Sequence, residues 1–197
     1  MRWSTSVSIF LVIAGLWQMS EGGYIKAKAL LAQHLLQSAW QESLSGKKRV
    51  VPWPWADTWP VARMEIERLG IDQIVLEGSS GRSLAFAPGH IAGTAPLGGL
   101  GNSAVSGHRD THFRFLQYLE PGDQIKITPA TGETLMYAVI TGEVHDKQDT
   151  WVLDQSEDGL TLITCYPFDA LIPGGPERFV IRAIPVSQNK LMKSVLL

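Results

Sequence analysis

Three prolines crowd residues 52–60, set among tryptophans as Pro52-Trp53-Pro54-Trp55 and then Trp59-Pro60. Proline fixes φ and has no amide proton, so this stretch can be neither a helix interior nor a central strand. It reads as a stiff, extended connection that splits the 197-residue chain into two parts of different character. Its tryptophans are expected to pack on the following domain or to lie near a membrane surface.

The part before the break contains a charge-free run at residues 7–17, VSIFLVIAGLW, flanked by Trp3 and Trp17. It is short for a bilayer core, which asks for about 20 apolar residues, but Trp3, Trp17 and the small hydroxyl residues beside it can extend it. A cleaved signal peptide is the alternative; its nearest small-x-small site, Ala27-Lys28-Ala29, lies too far on. The reading taken is an uncleaved anchor over residues 1–23, with a buried helix as the plain alternative. Charge does not orient it: Arg2 stands on one side, and Lys26 and Lys28, offset by Glu21, on the other. Residues 24–40 then predict a helix with Tyr24, Ala27, Leu31 and Leu35 on one face and His34 in a structural place.

After Pro60 the period changes to two. Residues 61–66, 71–76, 103–106, 124–128, 135–145, 160–165 and 178–184 read as strands, Gly78 to Gly81 as a turn, and residues 110–119 as one or two helical turns. Short strands at close intervals favour a mainly β barrel or sandwich over a doubly wound sheet. The predicted units are 1–23 (anchor), 24–60 (helix and Trp/Pro-rich linker), 61–186 (β domain) and 187–197 (tail). A net charge of −2 gives no electrostatic case for a nucleic-acid partner.

Cys165 is the single cysteine, which excludes an intramolecular disulfide framework and a Cys-only metal site. It ends the segment Thr161-Leu162-Ile163-Thr164-Cys165. Gly107-His108-Arg109-Asp110 follows another strand, and Arg178-Phe179-Val180-Ile181-Arg182 begins the last, with Arg178 and Arg182 on one face. A thiol becomes a nucleophile when a nearby cation raises its thiolate fraction. A histidine can protonate a departing amine near neutral pH, and an arginine can steady an oxyanion. Cys165, His108 and Arg178 fit those three roles, although separations of 57 and 13 residues leave their convergence to the fold.

Together these segments resemble the sortases: residues 161–165 match the family's TLxTC signature, Gly107-His108 its histidine segment, and residues 178–182 its arginine strand, in the family's order. Tyr166-Pro167-Phe168, the Trp/Pro linker and the N-terminal run look most like the sortases of Gram-negative bacteria, with class D next. The resemblance implies a sortase-like eight-stranded β-barrel with short helices. It also implies a cysteine transpeptidase that cleaves an LPxTG-like C-terminal sorting signal of an exported protein through a Cys165 thioester and passes it to an amine. His108 would be the acid and base, and Arg178 would bind substrate and oxyanion; Thr164, Asp110 and Tyr166 are secondary candidates for substrate binding or support. The residues between His145 and Asp158 would help shape the signal groove. The family's task implies a single-pass protein of the inner membrane, held by its N-terminal helix, with the catalytic domain facing the periplasm.

No cofactor or metal is expected, because Glu143, Asp146, Asp149, Asp154, Glu157 and Asp158 are scattered acids. His108 and His112 stand four apart, a metal-binding spacing on a helix, but a strand precedes His108 and the HExxH glutamate is missing. The Ser-His-Gly-Cys signature of L,D-transpeptidases is also missing. Two alternatives stay open: a cysteine protease using water, and a membrane-anchored, non-catalytic β-barrel binding module. His90 ranks below His108 for want of a preceding strand, and His145 reads as structural.

Overall fold

The computed structural model describes residues 2–172 and 174–186; the expected tail at 187–197 lies outside them. The first element is one helix, α1 (Arg2–Leu44), which runs through Gly22-Gly23 without a break, so the expected change at residue 23 is not marked in the backbone. Gly46 ends it in the left-handed region at φ 89°, its amide donating to the Ser43 carbonyl.

Among the described residues, it is the end of α1 that packs on the rest of the protein. Leu36 and Trp40 are buried against Ile74, Leu76 and Ala87, and Gln33 Nε2 donates to the Phe86 carbonyl at 2.8 Å. The buried stripe is therefore Ala32, Leu36, Ala39, Trp40 and Ser43, whereas Tyr24 and Leu31 from the expected face are exposed. The linker packs on the same side: Trp53 meets the Phe86 ring edge-on at 4.9 Å. Trp55 points into solvent.

The expectation of an inner-membrane, single-pass protein facing the periplasm is overturned. Among the described residues no helix is long and apolar enough to cross a membrane. The physical reason is in α1 itself: the apolar run of residues 7–17 rises about 16 Å, against a hydrocarbon core of about 30 Å. Gln18, Glu21, Gly22, Gly23, Lys26 and Lys28 follow at once.

The second part is a closed eight-stranded barrel, as expected. Its strands are β1 (Pro60–Ile66), β2 (Ile71–Glu77), β3 (Gly89–His90), β4 (Asn102–Ser106), β5 (Gln124–Pro129), β6 (Leu135–Asp146), β7 (Gly159–Cys165) and β8 (Glu177–Pro185). They close in the order β1-β2-β3-β4-β7-β8-β6-β5, with β5 returning to β1. Alternate residues point inward, so Met64, Ile66, Val105, Ile127, Leu162 and Ile181 fill the interior together with Phe113 and Leu116. A helical turn was expected over residues 110–119, and a 3-10 turn forms there at Arg114–Tyr118.

Two departures are local. The Gly78–Gly81 turn runs straight into a short helix, α2 (Gly81–Leu84), because Ser80 caps it by accepting from the Ser83 amide. β3 was not foreseen; two residues carry no readable period.

Two pairings set the site. β4 and β7 are parallel, so their C-terminal ends reach the same rim of the barrel. β8 runs antiparallel to β7 and β6 antiparallel to β8, which brings the start of β8 and the end of β6 to that rim as well.

Candidate active site

Cys165 ends β7 and stands in register with Arg178 on β8. Residues opposite one another in an antiparallel pair share a face, so thiol and guanidinium project to the same side. Arg178 is half-buried and its Nη1 donates to the carbonyls of Gly175 and Glu177, both at 2.8 Å. Nε and Nη2 have no hydrogen-bond partner among the described residues. Arg178 is thus anchored by one nitrogen, with donors left for a ligand.

His108 lies just beyond β4 and is tied to the cysteine strand through the residue before it. The Gly107 amide donates to the Ile163 carbonyl at 3.1 Å, and Thr164 Oγ1 donates to the Gly107 carbonyl at 2.8 Å. Its own carbonyl accepts from the amides of Thr111 and Phe113, which turns the chain sharply. Glycine is required at 107: a Cβ there would come within 2.7 Å of the buried Phe113 ring. The imidazole itself is exposed.

The secondary candidates take different places. Thr164 is buried, facing inward away from Cys165, and it touches the histidine segment through backbone alone. Asp110 binds Arg109, Nε to Oδ1 at 2.7 Å and Nη2 to Oδ2 at 3.0 Å, and among the described residues no hydrogen bond joins it to His108. That pairing holds the Asp110 carboxyl below the usual carboxylate range, first through the hydrogen bonds and then through the guanidinium charge. Tyr166 stacks over Phe179, with ring centroids 6.3 Å apart, and its amide extends the β7–β8 ladder by bonding the Glu177 carbonyl.

The structure adds two residues that the linear pattern did not single out. His145 on β6 is in register with Arg178, so Cys165, Arg178 and His145 form a row across three strands. Its ring meets Trp151 edge-on at 5.0 Å and faces Glu143 at 3.5 Å and Asp149 at 3.8 Å. Only the alternation within residues 135–145 hinted at its face. Arg109, next to His108, is the second. It is 5% exposed, and its contacts reach well beyond the histidine segment.

A cavity of about 240 Å³ opens on the same face as Cys165, lined by Asn102, Trp151, Val152, Asp158, Thr161 and Arg182 among others. Thr161 pairs with Arg182 four residues before Cys165, so the cavity begins about 13 Å from the thiol along β7. Asn102 and Thr161 hold its wall: Nδ2 of Asn102 donates to the Val152 carbonyl, and Thr161 Oγ1 donates to Oδ1 of Asn102. Among the described residues no three His, Cys, Asp or Glu side chains are grouped to hold a metal ion.

A closed eight-stranded barrel carrying a thiol, a guanidinium and a histidine segment at one rim narrows the class to β-barrel proteins with a cysteine-centred site. The sortase-domain family model matches residues 64–186, well over half of the chain, and the chain belongs to the sortase family. It is 32% identical to Sortase D of Bacillus subtilis (strain 168) over 120 residues, which is 60% of each chain. The match therefore spans less than two thirds of that relative's length. Among solved structures, the Sortase D5 transpeptidase of Clostridium perfringens superposes with a TM-score of 0.59 at 28% identity, covering 77% of this chain and 89% of that one. Sortase E of Streptomyces avermitilis gives 0.56 at 33% identity, covering 65% and 88%.

Proposed function

We propose that this chain is a cysteine transpeptidase acting on an exported protein that carries an LPxTG-like C-terminal sorting signal, with residues 61–186 as its catalytic unit. The observation that carries the reading is the register of Cys165 with Arg178 at the rim where the His108 segment also ends. The thiolate of Cys165 attacks the Thr–Gly carbonyl carbon, and the developing oxyanion lies against the free donors of Arg178. Collapse breaks the C–N bond as His108 protonates the departing glycine amine, leaving a thioester on Cys165. An incoming amine attacks that thioester while His108 takes up its proton; the C–S bond breaks, releasing the Cys165 thiolate and an amide product. The open face leading from Cys165 to the Thr161–Arg182 cavity has the length of an extended segment of about four residues.

A cysteine protease would share every step except the last, where water replaces the amine. Incubating the protein with an LPxTG-type peptide and a glycine amine, and reading products by mass spectrometry, separates the two. The reading expects an amide whose yield rises with amine concentration. Free acid alone under every amine tried supports the protease, and no cleavage supports a non-catalytic binding module.

A further inference from the structure

Arg109 is the one strongly buried guanidinium of the described residues, and it makes four hydrogen bonds. Two go to Asp110, as above. Nη1 donates to the Pro167 carbonyl at 2.7 Å and Nη2 to the Ala170 carbonyl at 2.8 Å. Both carbonyls belong to the connection that follows Cys165, and Arg109 follows His108. The side chain therefore bolts the segment after the candidate nucleophile to the segment carrying the candidate acid.

Phe168 also anchors that connection, packing against the core and edge-on to the Phe179 ring at 5.3 Å, but elsewhere it is held thinly. Tyr166 binds the Glu177 carbonyl at its root, and Lys147 and Arg178 bind the Pro176 and Gly175 carbonyls near its far end. In between, Leu171 and Ile172 are almost fully exposed. A planar guanidinium suits this bracing role, since its fork of donors can bind both oxygens of a carboxylate and two carbonyls at once, four bonds where an ammonium has three donors. Its pKa is pushed above the usual guanidinium range, first by the hydrogen bonds to Asp110 and, among smaller contributions, by the charges of Asp110, Cys165 and Asp169.

We propose that Arg109 is a positioning residue for the transfer reaction, clamping the Pro167–Ala170 backbone so that Cys165 and His108 keep a fixed separation. The proposal rests on the transpeptidase reading, yet part of its test needs no substrate. Wild type, Arg109→Lys and Arg109→Gln would be compared by hydrogen exchange, by the rate of Cys165 alkylation with iodoacetamide, and by steady-state transfer of an LPxTG-type peptide. Expected are exchange at least tenfold faster across residues 166–172 with β5 and β6 unchanged, and a changed alkylation rate. In transfer, kcat falls at least tenfold while KM moves less than threefold, and Arg109→Lys recovers only part of the loss. Wild-type exchange and wild-type kcat in Arg109→Lys would overturn the clamp. So would faster exchange spread evenly over the barrel, which would mark a general loss of stability. If wild type itself transfers nothing, the transpeptidase reading fails, and exchange with alkylation still decides whether the clamp exists.

Discussion

Cys165 and Arg178 face one another across the antiparallel β7–β8 pair as the last pair of its ladder, at the rim. Arg178 spends one nitrogen on the Gly175 and Glu177 carbonyls, and among the described residues its others have no partner. A lysine would carry the charge without the fork. Arg178→Lys is therefore expected to lose about 10²- to 10³-fold in kcat/KM for peptide transfer, with its melting temperature close to wild type. Transfer within threefold of wild type would remove Arg178 from the proposed mechanism.

Gly107 transmits position from the core to the histidine. Because a Cβ there meets the Phe113 ring at 2.7 Å, Gly107→Ala must displace either a buried aromatic or the backbone that leads into His108. Overpacking of this kind costs about 1–3 kcal/mol. Denaturant melts should register that loss, and transfer should fall by more than the unfolded fraction explains. Unchanged stability and rate would mean that the His108 segment is not set by this contact.

How far the chain could be read without coordinates depended on the range of each signal. Alternation exposed β1 and β5 because period two is local, short apolar runs exposed β2 and β4, and the TLxTC-like segment exposed the cysteine. β3 escaped because two residues show no period. His90, set aside for lack of a preceding strand, is itself in β3 and buried, its ring bound to the Ala95 carbonyl at 2.9 Å. The buried face of α1 was misjudged by one position because the helix meets the barrel only from Ala32 onward. The Cys165–Arg178–His145 row and the Arg109 clamp join residues far apart in sequence, so no spacing rule could reach them. The membrane assignment failed for the opposite reason: a local apolar run was extended past the length its residues support.

Arg182 offers a test of the groove. It lines the cavity on the Cys165 face and, among the described residues, its side chain makes no ion pair or hydrogen bond. If a substrate chain runs along β7, Arg182→Ala should raise KM about tenfold, the size of one charge-assisted hydrogen bond, and leave kcat nearly unchanged. A loss confined to kcat would place the substrate elsewhere.

Stability should fall with acid in two windows. Burial pushes the half-buried His112 below its ordinary pKa of 6.5, a hydrogen bond at the Ala85 backbone opposes this, and the charge of His108 adds to it. Below about pH 6.5 the unfolded chain takes up a proton that the folded chain refuses, so stability drops until the lower folded pKa is reached. Asp72 and Asp123 behave in the usual carboxylate sense. Hydrogen bonds from Arg63 and Arg68 hold them below 3.8, so their contribution is present above that value and is lost as pH falls through the folded values. In thermal melts from about pH 8 to about pH 3, His112→Gln should flatten the first decline and keep the second. An unchanged first decline would contradict the assignment to His112.

The central claim is that Cys165 carries the acyl group. Mixing the protein with an LPxTG-type peptide, without added amine, and quenching in acid would allow intact-mass and peptide-level spectrometry to find the adduct. The account predicts the mass of the peptide up to its threonine attached to Cys165, discharged by hydroxylamine and absent in Cys165→Ala. Turnover with Cys165 unmodified at every quench time, or persisting in Cys165→Ala, would contradict it.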